Sequence, residues 1–145
     1  MLKSIPPIIS PMLLYTLCSM GHGDEIVIAD GNFPSESQFI PVIRCDGHGV
    51  PELLRAILTL FPLDTFVKQP VALMDVVPGD NYKPVIWDEY KSIFAGYGCD
   101  ASQIEYMERF AFYERAKKAF SVVATSEMSL YANVILKKGI VKPEV

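Results

Sequence analysis

The chain has 145 residues, half of them hydrophobic, which is enough to bury one core and too few for two ordinary domains, so a single globular domain over 1–145 is predicted. Its net charge of −4 comes from 17 acidic and 13 basic residues, with no basic block or basic–aromatic stripe to track a phosphate backbone, so nucleic acid is not an expected partner. Cys18, Cys45 and Cys99 form neither a CxxC pair nor a zinc-finger spacing, which sets aside a disulfide framework and points to a reducing cytoplasm.

Lys3 followed by Ile5 to Met20 has the outline of a signal peptide, but Pro6, Pro7 and Pro11 interrupt it. The segment reads instead as part of the fold. No run reaches about 18 uninterrupted apolar residues, so no membrane partner is expected. Ser10-Pro11 supplies an N-cap and a first-turn proline, and Leu13, Leu14, Leu17 and Cys18 then share one helical face until Gly21. Ile26 to Ala29 is an apolar, β-branched run of the kind found in buried strands. It places His22 and Asp24 before the strand and Asp30 after it.

Residues 31–37 are rich in turn formers and read as a loop beside Asp30, followed by a short strand around Pro41 to Arg44. Val50-Pro51-Glu52 opens a helix whose core face is Leu53, Leu54, Ile57, Leu58 and Phe61. Pro62 and Pro70 bracket a connection, and Val71 to Val77 reads as a strand closed by Pro78-Gly79-Asp80. A third helix runs from Pro84 to about Ala95, and a strand near Ile104 to Glu108 leads through Arg109 into a helix carrying Phe112, Tyr113, Ala116, Ala119 and Phe120. Strands at Val122 to Thr125 and Asn133 to Leu136 finish the chain. Such alternation predicts a three-layer α/β/α fold with a mainly parallel sheet and ligands at its strand ends.

Histidine is the side chain that both gives and takes a proton near neutrality, and carboxylates can orient it. Two readings of residues 21–30 therefore stand side by side: an acid/base site, and a capped turn with a solvated acidic cluster. Gly21-His22-Gly23 precedes a strand and follows a helix, the reverse of a dinucleotide fingerprint. There is no Walker lysine and no GxSxG elbow. His48, in an Asp-Gly-His-Gly turn, reads as solvated, and His22 with Asp24 and Asp30 is a weak metal signal, so no metal is expected. Glu114 and Arg115 read as ion-pair residues. Arg109, at a strand-to-helix junction, can donate several hydrogen bonds to a hydroxylated ligand, and Tyr131 and Asn133 add a phenol and an amide suited to sugar hydroxyls.

Taken together, Gly21-His22-Gly23-Asp24-Glu25-Ile26, Ala29-Asp30, Asn32-Phe33-Pro34, Arg109-Phe110-Ala111-Phe112-Tyr113-Glu114-Arg115-Ala116 and Tyr131-Ala132-Asn133 resemble the ribose pyranase and fucose mutarotase family, nearly end to end. The resemblance implies a three-layer α/β fold, ring-like homo-oligomers of ten subunits, and cofactor-independent interconversion of forms of a free sugar. The Arg109 stretch is similar to the fucose mutarotase branch, where the pyranase branch tends to have His-Glu-Glu-Phe, and so implies L-fucose as substrate. Carried over by position, His22 matches the family's proton donor and Asp30, Arg109, Tyr131 and Asn133 match its sugar-binding positions. Ser126 stands where glycine is expected.

Exchange of α and β anomers needs one proton donor at the ring oxygen and one acceptor at the anomeric hydroxyl, which a histidine with hydrogen-bonding neighbours can support. A pyranase-like or other-sugar mutarotase and a non-catalytic sugar-binding subunit remain the alternatives. Tyr106, Phe110, Phe112, Tyr113, Phe120 and Tyr131 crowd the last third of the chain, and exposed aromatic area marks interfaces. One subunit's His22 is then expected to face a pocket closed by its neighbour.

Overall fold

Ser10 starts the first helix by accepting the Leu13 N–H on its hydroxyl at 3.1 Å, with Pro11 at the first helical position. The computed structural model describes residues 1–144. Helix α1 (Pro11–Ser19) buries Leu13, Thr16 and Leu17, while Cys18 points to solvent, so its inner face is rotated from the expected one. Strand β1 (Glu25–Ala29) follows, then β2 (Val42–Cys45) and α2 (Val50–Leu58), whose Gly49 N–H is capped by the Glu52 carboxylate at 3.0 Å. Next come β3 (Val71–Met74), α3 (Ile86–Ala95), β4 (Ile104–Met107), α4 (Arg109–Ala116), β5 (Ser121–Thr125) and β6 (Val134–Lys137).

The six strands form one sheet in the order β2-β5-β1-β6-β3-β4. Parallel pairing joins β1 to β5, β2 to β5 and β3 to β4, and β6 alone runs antiparallel, between β1 and β3. Five strands therefore end on one edge of the sheet, and β6 begins there. Alternate side chains feed two cores, as the two-residue period of a strand requires. Ile26 and Ile28 pack with α1, α2 and α3, including the wholly buried Tyr90 and Phe94, while Val27 and Ala29 pack with Phe112 and Ala116 of α4. The fold is the expected α/β sheet covered by helices on both faces, one layer thicker than the other.

Two elements stop earlier than their residue patterns suggest. β3 ends at Met74 because Asp75 makes the last ladder bond to Met107 and then turns the chain, its carboxylate accepting the Val76 N–H at 2.8 Å. α4 ends at Ala116, since Lys118 and Ala119 tighten into three-residue turns and the Phe120 N–H bonds to Glu25 O at 2.8 Å, drawing the chain onto the sheet. Phe120 is consequently half exposed, off the helix it was expected to share. Arg115 does enter ion pairs, gripping Glu25 through Nε at 3.0 and 3.1 Å and Glu105 at 3.0 Å. Glu114 pairs with Lys117.

Gly139 follows β6, where its backbone lies against the 62–64 segment and its N–H bonds to Pro62 O at 2.7 Å. A β-carbon there would sit 2.5 Å from Leu63 O and 2.9 Å from the Asp64 Cα. Only displacement of one backbone makes room. Gly139→Ala is therefore expected to cost about 1–3 kcal/mol, the range for overpacking a filled site, read as a lower urea midpoint with an unchanged slope. A midpoint equal to wild type would contradict the contact.

Candidate active site

Because only β6 is reversed, the segments leaving β1, β3 and β4 and the segment approaching β6 meet on one edge. That brings Asp30, Arg109, Tyr131 and Asn133 together around a cleft of about 210 Å³, with Phe33, Met74, Asp80 and Tyr113 also in its wall. The Asp30 N–H donates to the Asn133 amide oxygen at 2.7 Å, tying the end of β1 to the start of β6. The Asp30 carboxylate accepts the Asn32 N–H at 3.0 Å. Below it, the Thr125 hydroxyl donates to Ala29 O at 2.7 Å.

Tyr131 adopts a left-handed backbone with φ of 57°, unusual for a bulky residue and held by its surroundings. The Trp87 indole donates to Tyr131 O at 2.8 Å and the Tyr90 hydroxyl donates to Ala132 O at 2.7 Å, so α3 fixes the segment from behind. The phenol of Tyr131 donates to Asp80 at 2.6 Å. Arg109 lies over the rings of Phe110 and Tyr113, at 5.6 and 5.7 Å. Among the described residues it makes no salt bridge, which leaves its five donors for a ligand. Tyr113 in turn packs against Phe33 at 5.7 Å.

His22 is elsewhere. It sits in the turn before β1, a turn closed by the Gly21 N–H bonding to Asp24 at 2.7 Å and by Gly23, whose φ of +87° suits glycine. The five residues of β1 at about 3.3 Å each put roughly 17 Å of strand between this turn and the cleft. Within one chain the expected donor and the expected sugar-binding residues do not meet. His22 instead meets Asp64, its Nε2 at 3.1 Å from Oδ1, and packs against the ring of Phe66 at 5.3 Å. An ionised carboxylate only accepts, so Nε2 carries the hydrogen and Nδ1 is the nitrogen free to exchange a proton outwards. Burial pushes the Asp64 carboxyl up, but the Phe66 N–H and His22 overcome it and hold the group below the usual carboxylate range.

Asp64 and Asp80 carry no signal in the sequence reading, one lying in the Pro62–Pro70 connection and the other in a Pro-Gly-Asp turn. His48 pairs with Glu52 at 3.1 Å on the surface, as a solvated histidine does. Asp24 and Asp30 lie on opposite sides of β1, so the weak His22–Asp24–Asp30 ligand set does not assemble; no group of three or more metal-ligating side chains occurs among the described residues.

A model of the RbsD / FucU transport protein family matches residues 3–141. The chain is 56% identical over 144 residues to the fucose mutarotase of Mus musculus, covering 95% of this chain and 94% of that protein. It is 47% identical over 140 residues to the L-fucose mutarotase of Actinobacillus pleuropneumoniae serotype 5b, covering 97% of each. Among solved structures, the fucose mutarotase of Streptococcus pneumoniae in complex with L-fucose superposes with a TM-score of 0.93 at 55% identity, over 97% of this chain and all of that one.

Burial pushes the Asp30 carboxyl up, against hydrogen bonds from Asn32, Phe33, Ala132 and Asn133 that pull it down. A raised pKa means that the folded state holds the proton more tightly than the unfolded one. Ionised Asp30 therefore costs stability, a cost that appears as pH rises through the ordinary carboxylate range and is complete above the folded value. Asp30→Asn should accordingly gain melting temperature relative to wild type between about pH 3 and pH 7. Melting curves across that range check this, and a pH-independent difference would refute it.

Proposed function

The chain belongs to the RbsD / FucU transport protein family, and from that membership and the cleft we infer that it is an isomerase interconverting the α and β anomers of free L-fucose. The observation that carries this reading is the convergence of a carboxyl, a guanidinium, a phenol and an amide from separate strand ends around a space of single-sugar size. Asp30, Arg109, Tyr131 and Asn133 bind the sugar hydroxyls. Arg109 and the Asn133 amide donate, and Asp30 accepts.

In the reaction the ring oxygen gains a proton as its bond to C1 breaks, and the anomeric hydroxyl loses one as the aldehyde forms. Rotation about C1–C2 and reversal of both transfers close the ring on the other face. Protons balance, no group leaves and nothing is oxidised or reduced, so neither metal nor nucleotide is required. His22 supplies the proton from Nδ1, and Asp64 stabilises the imidazolium through Nε2.

We assign His22 to a neighbouring subunit's cleft. The 17 Å spacer forbids an encounter within the chain, and Phe66 lies 69% exposed beside the His22 ring as apolar area for a neighbour to cover. A contact between one edge and its opposite edge on the next copy is heterologous, and repeated with closure it generates a ring. The ten-subunit assembly implied by family resemblance is compatible with that geometry. The exposed Phe110, Met128 and Leu130 around the cleft edge offer matching apolar area. We place the protein in the cytoplasm, where its three free cysteines would stay reduced. No helix among the described residues is long and apolar enough to cross a membrane.

Saturation-transfer NMR on equilibrated L-fucose, D-ribose and D-galactose reads anomer exchange directly and ranks the sugars. His22→Ala should lower L-fucose exchange by about a hundredfold or more while leaving the fold intact, since His22 lies in an exposed turn. Wild-type exchange in that variant would remove His22 from the donor role. Arg109→Ala should also be weak alone. Co-assembled with His22→Ala subunits, it should restore activity at about a quarter of the sites, because each such site takes its histidine and its cleft from different chains. Mixed assemblies no more active than either parent would mean that the sites do not combine subunits. Dialysis against EDTA should leave exchange unchanged, and loss restored by a divalent ion would overturn the metal-free reading.

A further inference from the structure

We propose that Asp80 is a positioning residue for Tyr131: it holds the phenolic hydrogen, so that Tyr131 meets the sugar as a hydrogen-bond acceptor. The inference deepens the mutarotase reading and rests on it. A phenol has one hydrogen to give and lone pairs to receive with, so in water it serves either role. In the cleft the choice is made before any ligand arrives. Tyr131 Oη donates its only hydrogen to Asp80 Oδ2 at 2.6 Å and receives the Val77 N–H at 3.4 Å. What is left towards the cleft is a lone pair.

Asp80 is built to take that hydrogen. Its Oδ1 accepts the Tyr82 N–H at 2.9 Å and its own N–H bonds to Val77 O at 3.0 Å, so the turn around Gly79 aims the second oxygen at the phenol. The Tyr82 ring lies 5.9 Å from the Tyr131 ring and limits its swing. The bond to Tyr131, with the Tyr82 N–H, holds the Asp80 carboxyl below the usual carboxylate range, and the same bond pushes the Tyr131 phenol up. Both directions describe a neutral phenol donating to a carboxylate.

The polarity matters because it fixes which half of a hydrogen bond the phenol offers a ligand beside Arg109 and Asn133. Arg109 can only donate, and the Asn133 oxygen already accepts the Asp30 N–H on one of its lone pairs. A sugar hydroxyl that donates its hydrogen then finds an acceptor at Tyr131 beside the Asp30 carboxylate. Without Asp80, Tyr131 would be free to turn its hydrogen towards the sugar and oppose that donation.

A double-mutant cycle separates this role from simple support of the 75–85 loop. Wild type, Asp80→Ala, Tyr131→Phe and the double variant are compared for L-fucose dissociation constant and for anomer exchange at saturating sugar, with melting temperature as the check of folding. Each single variant is expected to weaken binding about tenfold, as loss of a charge-assisted hydrogen bond does, and the double variant should bind within about twofold of Tyr131→Phe. Binding losses that multiply in the double variant would overturn the proposal, since Asp80 would then act without the phenol. Should Asp80→Ala lower the melting temperature, Asp80→Asn replaces it in the cycle. Its amide can donate to the phenol oxygen and reverse the polarity, so weakened binding is again expected, and wild-type affinity in Asp80→Asn also counts against the proposal. Wild-type protein that binds L-fucose without exchanging its anomers would sink the mutarotase reading alone, because the cycle is read on binding.

Discussion

A β-strand cannot shorten, and that stiffness governs where chemistry can occur in this protein. β1 holds His22 at one edge of the sheet and Asp30 at the other, roughly 17 Å of extended chain apart. Each edge has consequently become specialised. One gathers the proposed sugar-binding groups from the ends of β1, β3 and β4 and the approach to β6, and the other presents an imidazole oriented by Asp64 and flanked by an exposed phenylalanine. In the proposed assembly, catalysis depends on the surface that joins copies as much as on the core that folds each one. The rigid spacer then turns from an obstacle into a ruler that sets both halves at a fixed distance within every subunit.

Periodicity and capping make most elements legible in the sequence. Ser10-Pro11 begins α1 and Arg109 opens α4 at a strand-to-helix junction, because caps and apolar faces are local properties of neighbouring residues. Strand order is not local, so the reversed β6 between β1 and β3 could not be read from its four residues. Family resemblance supplied the residues of the cleft, and the sheet brings Asp30, Arg109, Tyr131 and Asn133 together. Asp64 and Asp80 escaped notice for a common reason: each sits in a proline-marked connection, and only the folded chain brings it 42 or 51 positions along the sequence to its partner. Cys18 was misplaced by a single step of helical rotation, with Thr16 taking the inward position.

Two arginines of α4 show how the same side chain divides between architecture and ligand. Arg115 is four-fifths buried, with its guanidinium closed by Glu25 and Glu105 from two strands. Removing Arg115 would leave the Glu25 and Glu105 carboxylates without their shared cation in a half-dry site, and such groups cost more to break than they add when made. Arg109, less than two turns earlier, stacks on aromatic faces and makes no salt bridge among the described residues, so its hydrogen-bonding capacity is unspent. The binding cleft is thus marked by capacity left open, and the structural pair by capacity filled. Asp30 shows the corresponding cost in a carboxyl: its burial works against folding and is kept at the place where a ligand would be held.

β6 is the last strand among the described residues and one of the two central strands of the sheet. Until it emerges, β2, β5 and β1 can pair among themselves and β3 can pair with β4, but no backbone ladder joins the two sets. A chain without residues 134–137 can therefore form at most two half-sheets, each with an open edge, and β6 is what closes them. Such an edge is a template for the wrong partner while it waits. The same final strand carries Tyr131 and Asn133 into place at its start, so the cleft is completed in the step that seals the sheet, and a truncated chain lacks the site and the seam together.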